Sequence, residues 1–303
     1  MNRRTILAAA ASTPALAQSP LKLYGAGPGS AFLPYAEGVA RFLATAGIAA
    51  EARTSTGSLQ NLGFVEDDAT ALGTAFLGSV QDALSGTPAA GGRRHTAVRA
   101  LFPMYETAFH VAALPGSGIT SFAQLAGKRV GAGPARGPAE TFLRAALQAA
   151  GITVEVVSGD PSAMSTGLLN GAMDALWQGA IVPIPSLVAV APATVFGPGA
   201  EVSARVIAAM PYLSPSTAAP GTYQGQTAPV VSFAAWNFVI ANAALPEDTA
   251  YAVTRAVLGA ADPARQIHPS AASTRAGNAG TNRILPFHPG AARFYREAGI
   301  ALP

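Results

Sequence analysis

The four residues Gly-Ala-Gly-Pro occur twice in this chain, at residues 25–28 and again at residues 131–134. Each copy follows a short apolar segment and precedes a stretch whose apolar residues recur at helical spacing. Both of these stretches end in Ala-Gly-Ile. A chain that repeats one strand–loop–helix unit predicts two halves of similar construction.

The order of predicted elements after the two loops is also the same: helix, strand, polar turn, helix, strand. In the first half the helix is predicted to begin near Phe32, and Ser58 in the polar turn is predicted to cap the next helix. Two short strands are predicted at residues 97–105 and 108–114, with a crossover between the halves at the Pro-Gly-Ser-Gly segment that follows. Strands that alternate with helices of this length predict a parallel sheet. An apolar segment at residues 230–240 is predicted to cross back between the halves. The sequence therefore predicts an α/β protein with the two-lobed, type II fold of periplasmic binding proteins and a hinge of crossing strands. Lobe 1 is predicted at residues 18–112 and 230–303, and lobe 2 at residues 113–229.

The first 17 residues have the pattern of an export signal. Arg3 and Arg4 precede a short apolar run, and Ala-Leu-Ala at residues 15–17 matches a signal peptidase site. The Arg-Arg-Thr-Ile-Leu segment resembles a twin-arginine signal, and a Sec route and an ordinary N-terminal helix are the alternatives. We predict cleavage after Ala17 and a periplasmic location.

Composition excludes several classes of protein. Only 12% of residues are charged, and without Arg3 and Arg4 the chain has 17 basic residues against 16 acidic ones. No cluster of basic residues is interleaved with aromatic residues, which argues against a nucleic-acid partner. The absence of cysteine excludes disulfides, a thiolate nucleophile and cysteine-bound zinc. After the signal, no apolar run reaches the ~20 residues of a membrane span.

The two glycine loops resemble, incompletely, the G-x-G-x-x-G loop that binds dinucleotides. Ser30 stands where the third glycine of that motif would be, and Pro28 lies inside the turn. Arg136 takes the third position in the second copy. A periplasmic dinucleotide-dependent enzyme is therefore retained only as an alternative hypothesis. Both loops can still attract an anion, because a helix N-terminus presents free backbone N–H groups.

No pattern of catalytic residues accompanies the loops. None of the four histidines is paired with a G-x-S-x-G serine or lies in an H-E-x-x-H motif. His110 is interpreted as a buried or cleft-side neutral histidine. We therefore predict a protein that is not an enzyme and that has no cofactor and no metal site.

Small-molecule capture is the remaining function. Trp177 and Gln178 follow a predicted strand, and the ligands of α/β sheets bind at such carboxyl ends. A tryptophan at this position belongs either to the core or to the wall of a cleft. With Gln178 beside it, we interpret Trp177 as part of a cleft wall.

The chain resembles the TAXI family of TRAP-transporter solute receptors over nearly its whole length after residue 17. The segments that carry the resemblance include GPGSAFLPYAEGVA, STGSLQNL, SGITSFAQLAGKRVGAGP, PGTYQGQ and HPGAARFYREAG. The resemblance implies an exported receptor that closes on a solute and delivers it to a sodium-driven membrane permease. It also implies a small carboxylate ligand such as glutamate or 2-oxoglutarate. We expect this receptor to be a monomer. A receptor for an ABC importer or for a sensor is the alternative.

The resemblance also implies a set of ligand contacts from both lobes. These are Gly29, Ser30, Phe32, Ser55 and Ser58 in lobe 1, and Arg136, Gly137, Trp177 and Gln178 in lobe 2.

Three departures from the family pattern alter these contacts. Pro28 and Phe32 stand where the family usually has a hydroxyl residue and a tyrosine, so lobe 1 is expected to be the drier and more apolar side. Arg136 begins a four-residue stretch, Arg-Gly-Pro-Ala, where the family usually has Gly-Ser-Gly-Thr. Arg136 is expected to grip a carboxylate with two hydrogen bonds, and the alternative is that it points to solvent.

Overall fold

The computed structural model describes residues 19–28 and 30–303. The predicted export signal and Gly29 lie outside the described residues. In the described part of the chain one mixed sheet contains ten strands. The strands are β1 (Leu21–Tyr24), β2 (Ala50–Arg53), β3 (Ala71–Phe76), β4 (Val98–Ala113), β5 (Arg129–Gly131), β6 (Glu155–Val157), β7 (Ala175–Ala180), β8 (Thr194–Phe196), β9 (Leu213–Ala218) and β10 (Val230–Asn242).

Helices connect these strands and cover both faces of the sheet. The α-helices of the described residues are α1 (Phe32–Thr45), α2 (Ser58–Asp67), α3 (Leu77–Ser85), α4 (Pro138–Ala150), α5 (Pro161–Leu169), α6 (Pro185–Val188), α7 (Ala200–Ala209), α8 (Glu247–Leu258), α9 (Pro263–Gln266) and α10 (Pro289–Glu297). Over the described residues, no helix combines the length and the apolar character that crossing a membrane requires.

The sheet has two similar ends joined by two long strands. Its order is β2-β1-β3-β10-β4-β7-β5-β6, with β9 paired to β10 and β8 paired to β4. The strands β2, β1 and β3 are parallel at one end, and β7, β5 and β6 are parallel at the other. The long strands β4 and β10 are antiparallel to each other and to their neighbours. The predicted two-lobed α/β fold with crossing strands is thereby confirmed.

The strand β4 corrects one expectation about the crossing. The sequence predicted two short strands, with a crossover at the Pro-Gly-Ser-Gly segment that follows them. The structure instead has one strand of 16 residues. Its first part pairs with β10, and from Ala108 onward it pairs with β7. Pro103 is tolerated inside it because the register of β4 and β10 shifts near Phe238.

Each half has a hydrophobic core on both faces of its part of the sheet. In the first half, α1, α8 and α10 pack on one face, and α2 and α3 pack on the other. In the second half, α4 and α7 cover one face, and α5 and α6 cover the other. With both faces covered, the open edges at the carboxyl ends of the parallel strands are where a ligand can bind.

The helices that start at those edges follow the predicted pattern with one difference. Helix α1 begins at Phe32, as predicted, because Tyr35, Val39 and Leu43 form one fully buried face. Ser58 was predicted to cap α2 but is its first residue. Gly57 is the N-cap, with a φ of 122° that favours glycine.

Candidate ligand-binding cleft

A cavity of about 1010 Å³ lies between the two halves, at the carboxyl ends of their parallel strands. Its wall is built from the loops that follow β1, β2, β3, β5 and β7, together with the middle of β4 and β10. The lining residues are Ala26, Gly27, Pro28, Ser30, Ala31, Phe32, Thr56, Gly57, Ser58, Leu59, Gln60, Phe76, Ser79, Tyr105, Thr107, Phe109, Gly133, Pro134, Pro138, Ala139, Gln178, Gly179, Ala180, Ile181, Pro185 and Asn237.

The first half presents hydroxyl groups to this cavity. The backbone N–H of Phe32 donates to Ser30 Oγ at 3.2 Å, and that of Phe76 donates to Ser58 Oγ at 3.0 Å. Since each hydroxyl oxygen is used as an acceptor, its hydrogen remains to be donated to a ligand. Helices α1 and α2 begin here with no acidic residue in the first turn and no side-chain cap. Their N-termini therefore favour an anion.

Ser55 has a different position from Ser30 and Ser58. Its hydroxyl donates to the Gly25 carbonyl at 3.0 Å and accepts the Gly57 N–H at 3.0 Å, and Ser55 does not line the cavity. It joins the loop after β1 to the loop after β2. Below it, the fully buried Asn61 donates to the Gly25 and Thr74 carbonyl oxygens. The first glycine loop is therefore held from beneath by hydrogen bonds.

The second half presents a mainly apolar wall. Pro134, Pro138, Ala139 and Ile181 line it. Helix α4 begins at Pro138, which has no backbone N–H to offer a ligand. The expectation that the first lobe would be the drier side is wrong, because the polar donors concentrate in the first half and the prolines in the second.

Arg136 does not reach the cavity wall in this structure. It is exposed, and it has the only positive φ, 61°, among the non-glycine residues described. Its backbone N–H donates to the Glu140 carboxylate at 2.7 Å, and Arg144 Nε donates to the same carboxylate at 2.7 Å. Gly137, the N-cap of α4, also does not line the cavity. The anion-binding capacity of this helix start is therefore used by the chain's own Glu140.

Trp177 belongs to the core and not to the cleft wall. Its side chain is fully buried and stacks on Phe109, with 5.7 Å between ring centroids. Its indole Nε1–H donates to the Ala139 carbonyl at 2.9 Å. Because Ala139 lines the cavity, Trp177 supports the wall from behind. Neighbouring residues of a strand point to opposite faces of the sheet, so Gln178 on the cavity wall places Trp177 on the other face. The prediction from the adjacent Trp-Gln pair overlooked this alternation.

Gln178 lies on the wall with an unsatisfied donor. Its side chain is 9% exposed, and its buried Nε2 has no hydrogen-bond partner within the described structure. That nitrogen lies beside Gly133, where an added Cβ would be 3.7 Å from it. Buried donors are nearly always paired, so this one is available to an acceptor on a ligand.

The crossing strands contribute wall residues that were not predicted from the sequence. Tyr105, Thr107 and Phe109 alternate along β4 and therefore face the same side, and Asn237 on β10 joins them. Asn237 Nδ2 donates to the Tyr105 carbonyl at 3.0 Å and to Thr107 Oγ1 at 3.1 Å. The alternation of residues 105, 107 and 109 was the signal that could have identified them.

Electrically, the cavity is neutral. None of the described residues that line it has an ionisable acid or a basic side chain. Burial raises the pKa of the Tyr105 phenol, so Tyr105 stays protonated. His110 on β4 is paired with Gln178 on β7. Burial lowers the pKa of His110 to about 4, and the Tyr223 hydroxyl lies 2.9 Å from its Nδ1. His110 is thus a buried neutral histidine, as interpreted from the sequence.

Solved structures of low sequence identity share this architecture. A periplasmic transporter has 15% identity and a TM-score of 0.53, with 94% of each chain covered. MatC from Rhodopseudomonas palustris, solved with bound malate, has 15% identity and a TM-score of 0.50, with 83% of this chain and 88% of that one covered. A YaeC-family lipoprotein from Enterococcus faecalis has 10% identity and a TM-score of 0.50, with 85% and 98% covered. At these identities the likeness shows the fold.

The sequence itself matches one family model over nearly all of the described chain. That model, described as the NMT1-like family, aligns with residues 23–299. The match begins in β1 and ends just beyond α10, so it includes every loop that lines the cavity. The chain belongs to the NMT1-like family.

Proposed function

We propose that this protein is an extracytoplasmic solute receptor that captures a small carboxylate-bearing molecule between its two halves. The observation that carries the proposal is the cavity of about 1010 Å³, whose wall takes residues from both halves and from both crossing strands. A ligand there would contact both halves at once. Binding would therefore stabilise a closed arrangement, with bending in β4 and β10.

We place the division between the lobes inside the crossing strands. Strand β4 changes partners at Ala108, and β10 pairs with β9 up to Ala235 and with β3 from Asn237. Residues 108–112 are therefore assigned to the second lobe, because they pair with β7. This boundary differs by a few residues from the division at residue 112 expected from the sequence.

The proposed partner is the permease of a TRAP transporter, in line with the resemblance to TAXI receptors. The proposed location is the periplasm, after removal of an export signal at residues 1–17, and the proposed state is a monomer. A TRAP permease gene next to the gene for this chain would support this partner. An adjacent gene for an ATP-binding cassette subunit would contradict it.

A thermal shift screen tests the receptor function directly. The protein without residues 1–17 is heated with amino acids, monocarboxylates, dicarboxylates, NAD and FAD. At least one small carboxylate is expected to raise the melting temperature in a dose-dependent way. Small-angle X-ray scattering with that solute is expected to show a smaller radius of gyration. Stabilisation by NAD or FAD alone would contradict the proposal and favour a dinucleotide-dependent protein.

A matched pair of variants ties the response to the cavity. Ser79 lines the cavity, whereas Ser85 is exposed at the end of the same helix, α3. Ser79→Trp fills the space between the halves and is expected to abolish the thermal shift. Ser85→Trp is expected to leave it unchanged. A solute that still stabilises the Ser79→Trp variant binds elsewhere, and the proposal would then be wrong.

A further inference from the structure

The two glycine loops have the same first four residues but offer a ligand different chemistry. In the first half, the hydroxyl hydrogens of Ser30 and Ser58 remain free beside the uncapped N-termini of α1 and α2. In the second half, the start of α4 has a proline and a carboxylate of the chain itself. A second ligand anion has no matching site there.

Glu140 is the residue that makes this difference. It lies in the first turn of α4, next to the wall residue Ala139, and it is 7% exposed. The Arg136 N–H lowers the pKa of the Glu140 carboxyl, with Arg144 acting in the same direction, so Glu140 is ionised at neutral pH. A ligand carboxylate placed at this helix start would compete with the Glu140 carboxylate, which already accepts the Arg136 N–H and the Arg144 guanidinium.

The unpaired donor of Gln178 suits a neutral hydrogen-bond acceptor at the end of the ligand that contacts the second half. Gln178 lines the cavity, and its Nε2 is buried with no hydrogen-bond partner within the described structure. An amide N–H satisfies a neutral acceptor, such as a carbonyl or hydroxyl oxygen, without a counter-ion. The surrounding Pro134, Pro138, Ala139 and Ile181 favour an apolar group.

We propose that the cleft selects a solute with a single carboxylate, held by Ser30, Ser58 and the helix starts of the first half. Its opposite end is apolar and un-ionised, and Glu140 acts as the specificity residue that excludes a second carboxylate from the second half. This inference rests on the receptor function proposed above. It narrows the ligand from carboxylates in general, including glutamate and 2-oxoglutarate, to monocarboxylates with an apolar body.

Three matched pairs of solutes test the proposal by isothermal titration calorimetry. The members of each pair share one end, and the other end is alkyl or carboxylate: 4-methyl-2-oxopentanoate with 2-oxoglutarate, leucine with glutamate, and hexanoate with adipate. In every pair that binds, the alkyl member is expected to bind at least ~10-fold more tightly, because a buried charge without a partner is strongly disfavoured. Tighter binding of a dicarboxylate member would overturn the inference and leave the receptor function standing.

The solute that co-purifies with the protein gives an independent test. Native mass spectrometry of protein purified without denaturation is expected to recover a monocarboxylate. A recovered dicarboxylate would overturn the inference alone. If no pair binds and no small molecule is recovered, both the inference and the receptor function are overturned.

A matched control isolates the role of Glu140. Glu140→Gln keeps an acceptor for the Arg136 N–H but removes the charge. It is expected to reduce the preference for 4-methyl-2-oxopentanoate over 2-oxoglutarate by about tenfold. Glu201 has the same arrangement on α7, in the first turn and paired with Arg205 at 3.2 Å, but it lies outside this cavity. Glu201→Gln is expected to leave the preference unchanged. An unchanged preference in Glu140→Gln would overturn the assigned role.

Discussion

The loops at residues 25–30 and 131–137 are built on the same first four residues, yet they are supported and charged differently. The first is held from beneath by the amide of Asn61 and leaves the start of α1 without an acid. The second leads into α4, where the indole of Trp177 donates to the Ala139 carbonyl and Glu140 occupies the helix start. The two loops therefore share four residues and a position between a strand and a helix. The residues packed behind each loop and in the first turn of its helix determine which ligand groups it can bind.

The largest expected effect concerns the residues that support the two loops. Trp177→Ala removes a fully buried indole, and it is expected to lower the free energy of unfolding by about 3–5 kcal/mol. Asn61→Ala removes the amide that donates to the Thr74 carbonyl and to the Gly25 carbonyl, which also accepts from Ser55. It is expected to lower the free energy of unfolding by about 1–3 kcal/mol. Urea denaturation of both variants measures the difference. A larger loss in Asn61→Ala would contradict the assigned supports.

A pH effect follows from the buried histidine of the second half. Burial lowers the pKa of His110 from 6.5 to about 4. The unfolded chain therefore binds a proton between these values that the folded chain does not. The contribution of neutral His110 to the free energy of unfolding is fully present above about pH 6.5. It is lost as the pH falls toward 4, which lowers the free energy of unfolding by about 3 kcal/mol.

His288 is the histidine of the first half that corresponds to His110, because burial also lowers the pKa of His288. Urea denaturation between pH 4 and 7 is expected to show a flatter profile for His110→Gln than for the unmodified protein. His288→Gln is expected to flatten the profile less. An unchanged profile in His110→Gln would show that another group dominates the acid response.

The ligand contact of Ser58 in the first half is expected to be stronger than that of Gln178 in the second half. Ser58→Ala removes a hydrogen bond to a charged carboxylate, and it is expected to weaken binding of 4-methyl-2-oxopentanoate by about tenfold. Gln178→Ala removes a hydrogen bond to a neutral acceptor, so a smaller loss is expected. Calorimetry on both variants measures this order. A greater loss in Gln178→Ala would reverse the proposed orientation of the ligand.

The smallest expected effect concerns Arg136. Its φ of 61° lies in the left-handed region that favours glycine. Arg136→Gly is therefore expected to raise the free energy of unfolding by about 1 kcal/mol. Binding of 4-methyl-2-oxopentanoate is expected to stay the same. A loss of affinity of tenfold or more would return Arg136 to the ligand site expected from the sequence.

Much of the fold could be predicted because it depends on local patterns. Helix α1 was predicted from the spacing of its buried face, and β10 was recognised as a crossing strand from its apolar run. Strand β4 was divided into two because the polar residues Glu106 and Thr107 interrupt its apolar residues. Only pairing with distant strands shows that the chain continues through them in one extended segment.

The candidate site was less predictable because it depends on contacts between distant residues. Four of the ligand contacts that the family resemblance implies line the cavity, namely Ser30, Phe32, Ser58 and Gln178. Ser55, Arg136, Gly137 and Trp177 do not. The sequence of residues 136–140 does not reveal that the Glu140 side chain folds back onto the Arg136 N–H, which places a carboxylate of the chain itself at this helix start.

The most direct test of the account is a crystal structure of the protein with its highest-affinity solute bound. The carboxylate is predicted to lie within hydrogen-bond distance of Ser30 Oγ, Ser58 Oγ or the first N–H groups of α2. The opposite end is predicted to contact Pro138 and Ala139, without an ionised group near Glu140. A ligand carboxylate bound to Arg136 or to the N-terminus of α4 would contradict the division of roles between the two halves.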